Sequence, residues 1–162
     1  MKKIFLLLFA LYTSYCSFGQ STPQFILPDV NSKPDLNAAA KKATDYILAT
    51  PADTTATMRR QAEGFLFAWM EKTDEYSFSM DYTFAKIVED SKSEGYVFMA
   101  AMVECVLKDK SQADEQVKIT AIKRLIEYSK NLNNKLPPGP ELQKAIKADK
   151  KGHLKKYLAE AK

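Results

Sequence analysis

Histidine, cysteine and glycine are all scarce in this chain, and each shortage removes a class of chemistry. One histidine, His153, occurs in 162 residues. Imidazole is the commonest general acid–base group, so any Ser–His–Asp or Cys–His arrangement would have to use this residue. It lies among Lys150, Lys151, Lys155 and Lys156, the setting of a solvated surface side chain rather than of a formed pocket. There are two cysteines, Cys16 and Cys105. One thiol and one imidazole do not make the four-ligand shell of a zinc site. With five glycines the chain has no glycine-rich loop to cradle phosphate and no calcium loop with a central glycine. No catalytic residue, metal site or cofactor is implied.

Paired carboxylates are the remaining catalytic option. Asp74-Glu75, Glu89-Asp90 and Asp114-Glu115 are sequence neighbours, and neighbours on a helix point apart. A carboxylate-based hydrolase is therefore the alternative reading, not the leading one. A basic face is missing as well. Residues 20–140 carry 15 Lys/Arg against 17 Asp/Glu, and the excess of lysine is confined to residues 141–162, with 7 Lys against 3 acids. Nucleic-acid binding needs a basic face and is not expected. The basic tail permits a weak contact with an anionic envelope, although lysine near the C-terminal end of a solvated helix is its ordinary place.

What the chain does have begins at its N-terminus. Lys2 and Lys3 precede an unbroken apolar run over residues 4–12, and Ser17-Phe18-Gly19 then places small residues at −3 and −1 of a cut before Gln20. This is the pattern of a secretory signal peptide over residues 1–19. Its apolar run falls well short of the roughly 20 residues that span a bilayer. The expected product is periplasmic or secreted and has no transmembrane segment. It keeps Cys105 alone, which rules out an intramolecular disulfide. Attachment through a lipid on Cys16 is the lesser alternative, because Tyr15 before it is a poor fit to lipoprotein processing.

Abundant Ala, Lys, Glu and Leu favour helices. Residues 20–34 hold three prolines and read as an extended leader. Residues 35–162 should form the domain. Leu36, Ala40, Ala43 and Ile47 make one stripe of a helix over about 35–49, capped by Asp35. A second helix, about 55–72, starts at a Thr54 or Thr55 cap. It turns Met58, Ala62, Phe65, Leu66 and Trp69 inward, with Arg59, Arg60 and Glu63 mostly off that face. Gly64 in its middle predicts a close helix crossing. Tyr76, Phe78, Met80 and Tyr82 alternate with polar residues, which predicts an extended segment near 76–81 pressed against helices. Further helices are expected over about 82–91, 94–108 and 113–131, and from Pro140 into a basic C-terminal helix that Gly152 interrupts. The stretch from Tyr96 to Leu107 contains one charge, Glu104, and should be the buried centre.

The densest remaining feature is aromatic: Phe65, Phe67, Trp69, Tyr76, Phe78, Tyr82 and Phe84. As core it would close the second helix onto the third. As a site, Trp69, Tyr76, Phe78 and Tyr82, with Arg59 or Arg60 nearby, would line a groove for a ligand or for a protein or peptide partner.

The signal ending Ser17-Phe18-Gly19-Gln20, the block FLFAWMEKTDEY over 65–76 and the apolar helix after Gly95 resemble those of small exported all-helical proteins of Gram-negative bacteria that carry no assigned activity. That resemblance implies export and a helical fold and supplies no site residues. The expectation is an all-α, single compact bundle of five to six helices, acting as a non-catalytic binding or structural module.

Overall fold

The protein is described by a computed structural model at residues 27–31, 35–52, 55–89 and 91–160. The expected signal segment, its cleavage point, Cys16 and most of the leader lie outside the described residues. Among those residues the fold is all-α: seven α-helices and one 3₁₀ turn, with no strand. The helices are α1 (Leu36–Ala49), α2 (Thr57–Lys72), α3 (Tyr82–Val88), α4 (Lys92–Lys108), α5 (Asp114–Lys130), α6 (Pro140–Lys150) and α7 (Leu154–Glu160), with the 3₁₀ turn at Leu132–Asn134.

Local chemistry explains most boundaries. The Asp35 carboxylate accepts from the amides of Asn37 and Ala38, both at 3.1 Å, and so satisfies two of the four orphan donors at the start of α1. The expected threonine cap of α2 does not form: Ala56 occupies the cap and offers no side-chain acceptor. Gly152 splits the tail into two helices. It has φ +73°, a left-handed conformation that costs other residues about 1–2 kcal/mol. Its amide bonds Asp149 O at 2.9 Å and the next amide, of His153, bonds Ala148 O at 2.9 Å. These are the two hydrogen bonds of a Schellman ending.

The apolar stripes read from the sequence are buried except at Leu36 and Met58, which lie in the first turns of α1 and α2 and are half-buried. α4 packs chiefly against α5 and α1, and α1 packs against α2. Val97, Phe98, Ala100, Ala101 and Val103 of α4 are fully buried, so this helix is the centre of the bundle. In α5, Val117, Ala121, Leu125 and Tyr128 are buried.

Two further expectations about α2 fail. A Cβ built at Gly64 meets nothing within 4 Å, so no helix crosses there and the residue faces open space. Gly64→Ala should therefore raise unfolding free energy by about 1 kcal/mol, the propensity difference in an exposed helix interior; an unchanged denaturant midpoint would mean that the glycine has another role. Arg59 and Glu63 are also not surface groups, being only 1% and 3% exposed. Arg59 Nε donates to Glu63 Oε1 at 2.8 Å. Its Nη1 reaches Ile47 O at 3.0 Å, Thr50 O at 2.8 Å and Pro51 O at 3.0 Å. These carbonyls end α1, where helix geometry leaves acceptors unpaired and the dipole is negative. Tyr128 Oη also donates to Thr50 O, which brings α5 into the same knot. Hydrophobic periodicity could not show this, because the arginine is buried by what it binds rather than by its own polarity.

Lys118 of α5 is, with Arg59, the other buried cation among the described residues, 5% exposed. Its ammonium pairs with Asp114 at 2.7 Å and Asp81 at 3.3 Å and lies 5.3 Å from the Phe84 ring centroid. Burial works against the charge on both Lys118 and Asp114. Burial is the largest single influence on each, but the hydrogen bonds and charge attraction among Lys118, Asp114, Asp81 and Ser79 together outweigh it, so the lysine lies above its ordinary 10.5 and the Asp114 carboxyl below its ordinary 3.8. A depressed carboxyl stabilises the fold above its unfolded pKa and loses that contribution as pH falls through the folded value. A raised lysine does the reverse, losing its contribution as pH climbs above 10.5. Lys118→Met should therefore destabilise most between these limits. Its deficit should shrink as pH falls below 3.8 toward the lowered folded value of Asp114; equal deficits at pH 3 and pH 7 in urea unfolding would sink this account.

Candidate functional site

Residues 73–81 leave the helical path and run extended between α2 and α3. Thr73 Oγ1 accepts from the Glu75 amide at 3.3 Å and starts the turn. Glu75 Oε2 accepts from Asn37 Nδ2 at 3.0 Å, which ties the segment to α1. Ser79 Oγ donates to Asp114 Oδ2 at 2.7 Å, which ties it to α5. Trp69 is 2% exposed and packs beneath: its ring centroid lies 5.7 Å from that of Tyr76 and 5.9 Å from that of Phe78, tilted and edge-on. The alternation expected over 76–82 thus holds at Tyr76 and Phe78, which are half-buried. It fails at Met80 and Tyr82, which are 46% and 71% exposed, because Tyr82 already belongs to α3.

The extended segment borders two concavities, one along residues 78–80 and one along residues 73–75. The first is an apolar groove of about 280 Å³, lined by Phe67 and Met70 of α2, Phe78 and Met80 of the segment, and Met99 and Met102 of α4. Glu71 and Ser79 are its only polar side chains. Phe67 is 47% exposed. The second is a cleft of about 310 Å³ with Trp69 in its wall and Asp35, Asp74 and Glu75 around it. Two of its three carboxylates have structural tasks: Asp35 caps α1, and Glu75 holds Asn37.

Of the six residues that the sequence singles out, Phe78 alone lines the apolar groove. Trp69 supports it from below, and Tyr76 packs on Trp69. Tyr82 stands outside its lining. Arg60 is exposed on α2, and Arg59 is committed to the end of α1. The periodicity was therefore informative about the extended segment but not about which rings face out. Met70, Met99, Met102 and Phe67 were not among the expected site residues. The one sequence signal for them is that four of the six methionines fall between positions 70 and 102.

No protein family, curated protein or solved structure matches this chain. The site therefore stands on its own geometry.

The remaining reactive groups are placed elsewhere. Cys105 is 7% exposed, and burial, aided by the neighbouring Glu104 charge, pushes its thiol pKa up. The thiolate is the nucleophile, so this cysteine is suited to core packing. His153 is exposed, as are Lys144, Lys147, Lys150, Lys151, Lys155 and Lys156 along the tail. Among the described residues, no group of three or more His, Cys, Asp or Glu could hold a metal ion, and no helix is long and apolar enough to cross a membrane.

Proposed function

We propose that this chain is an exported, non-catalytic helical binding module whose contact surface is the apolar groove between α2, α4 and residues 73–81. The observation that carries this reading is the pair Phe67 and Met80, both about half exposed, at 47% and 46%, and both lining the same concavity. Isolated exposed apolar residues need no explanation, whereas adjoining ones around a concave surface mark a contact site. The volume of about 280 Å³ is at the lower edge of the roughly 300–1,000 Å³ of ligand pockets, so the occupant is small. A protein partner would need about 800 Å² on each side, far more than this groove offers. Export rests on the signal-like residues 1–19, and hydrolysis is disfavoured because two of the carboxylates beside Trp69 are engaged in capping and bracing.

A hydrophobic dye tests the groove. Anilinonaphthalene sulfonate should bind the folded protein, and Phe67→Ser/Met80→Ser should weaken that binding about tenfold or more. Because both side chains are half exposed, the melting temperature should move by no more than about 3 °C, the effect of roughly 1 kcal/mol in a domain of this size. Dye binding that is absent, or indifferent to the double variant, removes the proposal. Export is tested separately by mass spectrometry of the protein from its producing cell: a chain beginning at Gln20 supports it and one retaining Met1 refutes it.

A further inference from the structure

We infer that the groove is a binding site for a soft monovalent metal ion, Cu(I), held by the thioethers of Met70, Met80, Met99 and Met102. This inference rests on the groove reading above and names its ligand. Apart from Met58 on the first turn of α2, every methionine among the described residues lines this one concavity. Three separate elements deliver them: α2, the extended segment and α4. The buried apolar core contains only one of them, Met102, at 2% exposure; elsewhere it is built from Ala, Val, Ile, Leu and aromatics. Met70 and Met99 are half-buried and pack against the core, and Met80 is 46% exposed, so three of the four side chains reach the surface of the groove.

The donor set selects the ion. Thioether sulfur is a soft ligand that favours Cu(I), while Mg²⁺ and Ca²⁺ require oxygen. The groove offers only Glu71 and Ser79 as oxygen-bearing side chains, too few for the six to eight ligands of calcium. Zinc sites are built from thiolate, imidazole and carboxylate, and none but the Glu71 carboxylate is present. Methionine has three rotatable side-chain bonds, which lets thioethers carried by different elements turn toward one ion. Phe67 and Phe78 form the apolar shell that limits water around the ion. Met80, the most exposed of the four, lies on the entry path.

Silver(I) is the redox-inert probe of the same charge and softness, and Cu(I) under anaerobic conditions is the second. Both are titrated in chloride-free buffer into the full chain carrying Cys16→Ser and Cys105→Ala, which removes competing thiols. The ¹³C-labelled methionine ε-methyl resonances are followed. The expected result is saturation at one equivalent, with shifts at Met70, Met80, Met99 and Met102 and none at Met58; Zn²⁺ should produce no such shifts. Met80→Leu and Met99→Leu conserve side-chain volume and should each weaken Ag(I) binding about tenfold or more while leaving the melting temperature near that of the parent. Absent shifts, shifts that include Met58 equally, or unchanged affinity in the Met80→Leu/Met99→Leu double variant overturn the inference. If the dye still binds the groove in that case, the metal assignment falls alone; if the dye fails too, the groove reading falls with it.

Discussion

Arg59→Met is expected to cost about 3–5 kcal/mol of unfolding free energy, the range for removing one member of a buried ion pair. Folded domains of this size are stable by only about 5–15 kcal/mol, so the variant should sit near the edge of folding at 37 °C. The expectation follows from what the guanidinium does. It supplies the hydrogen-bond donor for the Ile47, Thr50 and Pro51 carbonyls, and it is the counter-charge of Glu63, whose side chain is 4% exposed. Met fills much of the volume but takes the guanidinium donor from the Ile47 and Pro51 carbonyls and the counter-charge from one carboxylate, with Tyr128 left as the donor to Thr50 O, the costly side of hydrogen-bond energetics. Burial already pushes the Glu63 carboxyl above its ordinary 4.5, with Arg59 pulling it back; without the arginine it rises further. A raised carboxyl favours the fold below its unfolded pKa and loses that advantage as pH rises through the folded value. The deficit of Arg59→Met should therefore be smaller at pH 4 than at pH 8. Glu63→Gln keeps the carbonyl bonds and removes a charge that is costly to bury, so it should be the milder change. Urea unfolding followed by circular dichroism decides this. A loss below about 1 kcal/mol for Arg59→Met would show that the knot at the end of α1 is not what holds α1 to α2.

Trp69→Ala should be as damaging, about 3–5 kcal/mol, and should add a functional effect. Trp69 is the single tryptophan and lies buried under the extended segment, in contact with the Tyr76 and Phe78 rings. Aromatic pairs add about 0.5–1.5 kcal/mol beyond buried area, and residues 73–81 make no ladder of their own to keep them in place. Removing the indole should release Tyr76 and Phe78, and with Phe78 one wall of the groove. The variant should lose dye binding even at temperatures where its helices remain folded, whereas a core substitution remote from the groove, such as Leu125→Ala, should lose stability without losing the groove at low temperature. If Trp69→Ala stays as stable as the parent, or binds the dye as tightly, the segment is held by something other than this cluster.

Several parts of the molecule were legible in the chain because they depend on local or one-dimensional properties. The Asp35 cap, the break at Gly152, the Pro140 start of α6 and the apolar stripes of α1, α4 and α5 each follow from residue type and spacing. The extended character of 76–81 followed from its alternation. What could not be read were the partners. Arg59 at a helical position off the apolar stripe looks like a solvated charge, and only the carbonyls of α1 and the hydroxyl of Tyr128, 69 residues away, make its burial favourable. Gly64 looked like a crossing point because glycine permits close approach, but no helix takes up the space.

The sequence by itself determined an all-α domain with α4 at its centre, because periodicity and capping act within a few residues and leave their marks in order along the chain. Only the tertiary structure decided the site. Phe78 entered the groove while Trp69 went beneath it and Tyr82 stayed outside, and four methionines spread over 33 positions came to line one groove. Those outcomes depend on how three elements pack in space, and side-chain convergence between distant elements leaves no period in a single chain.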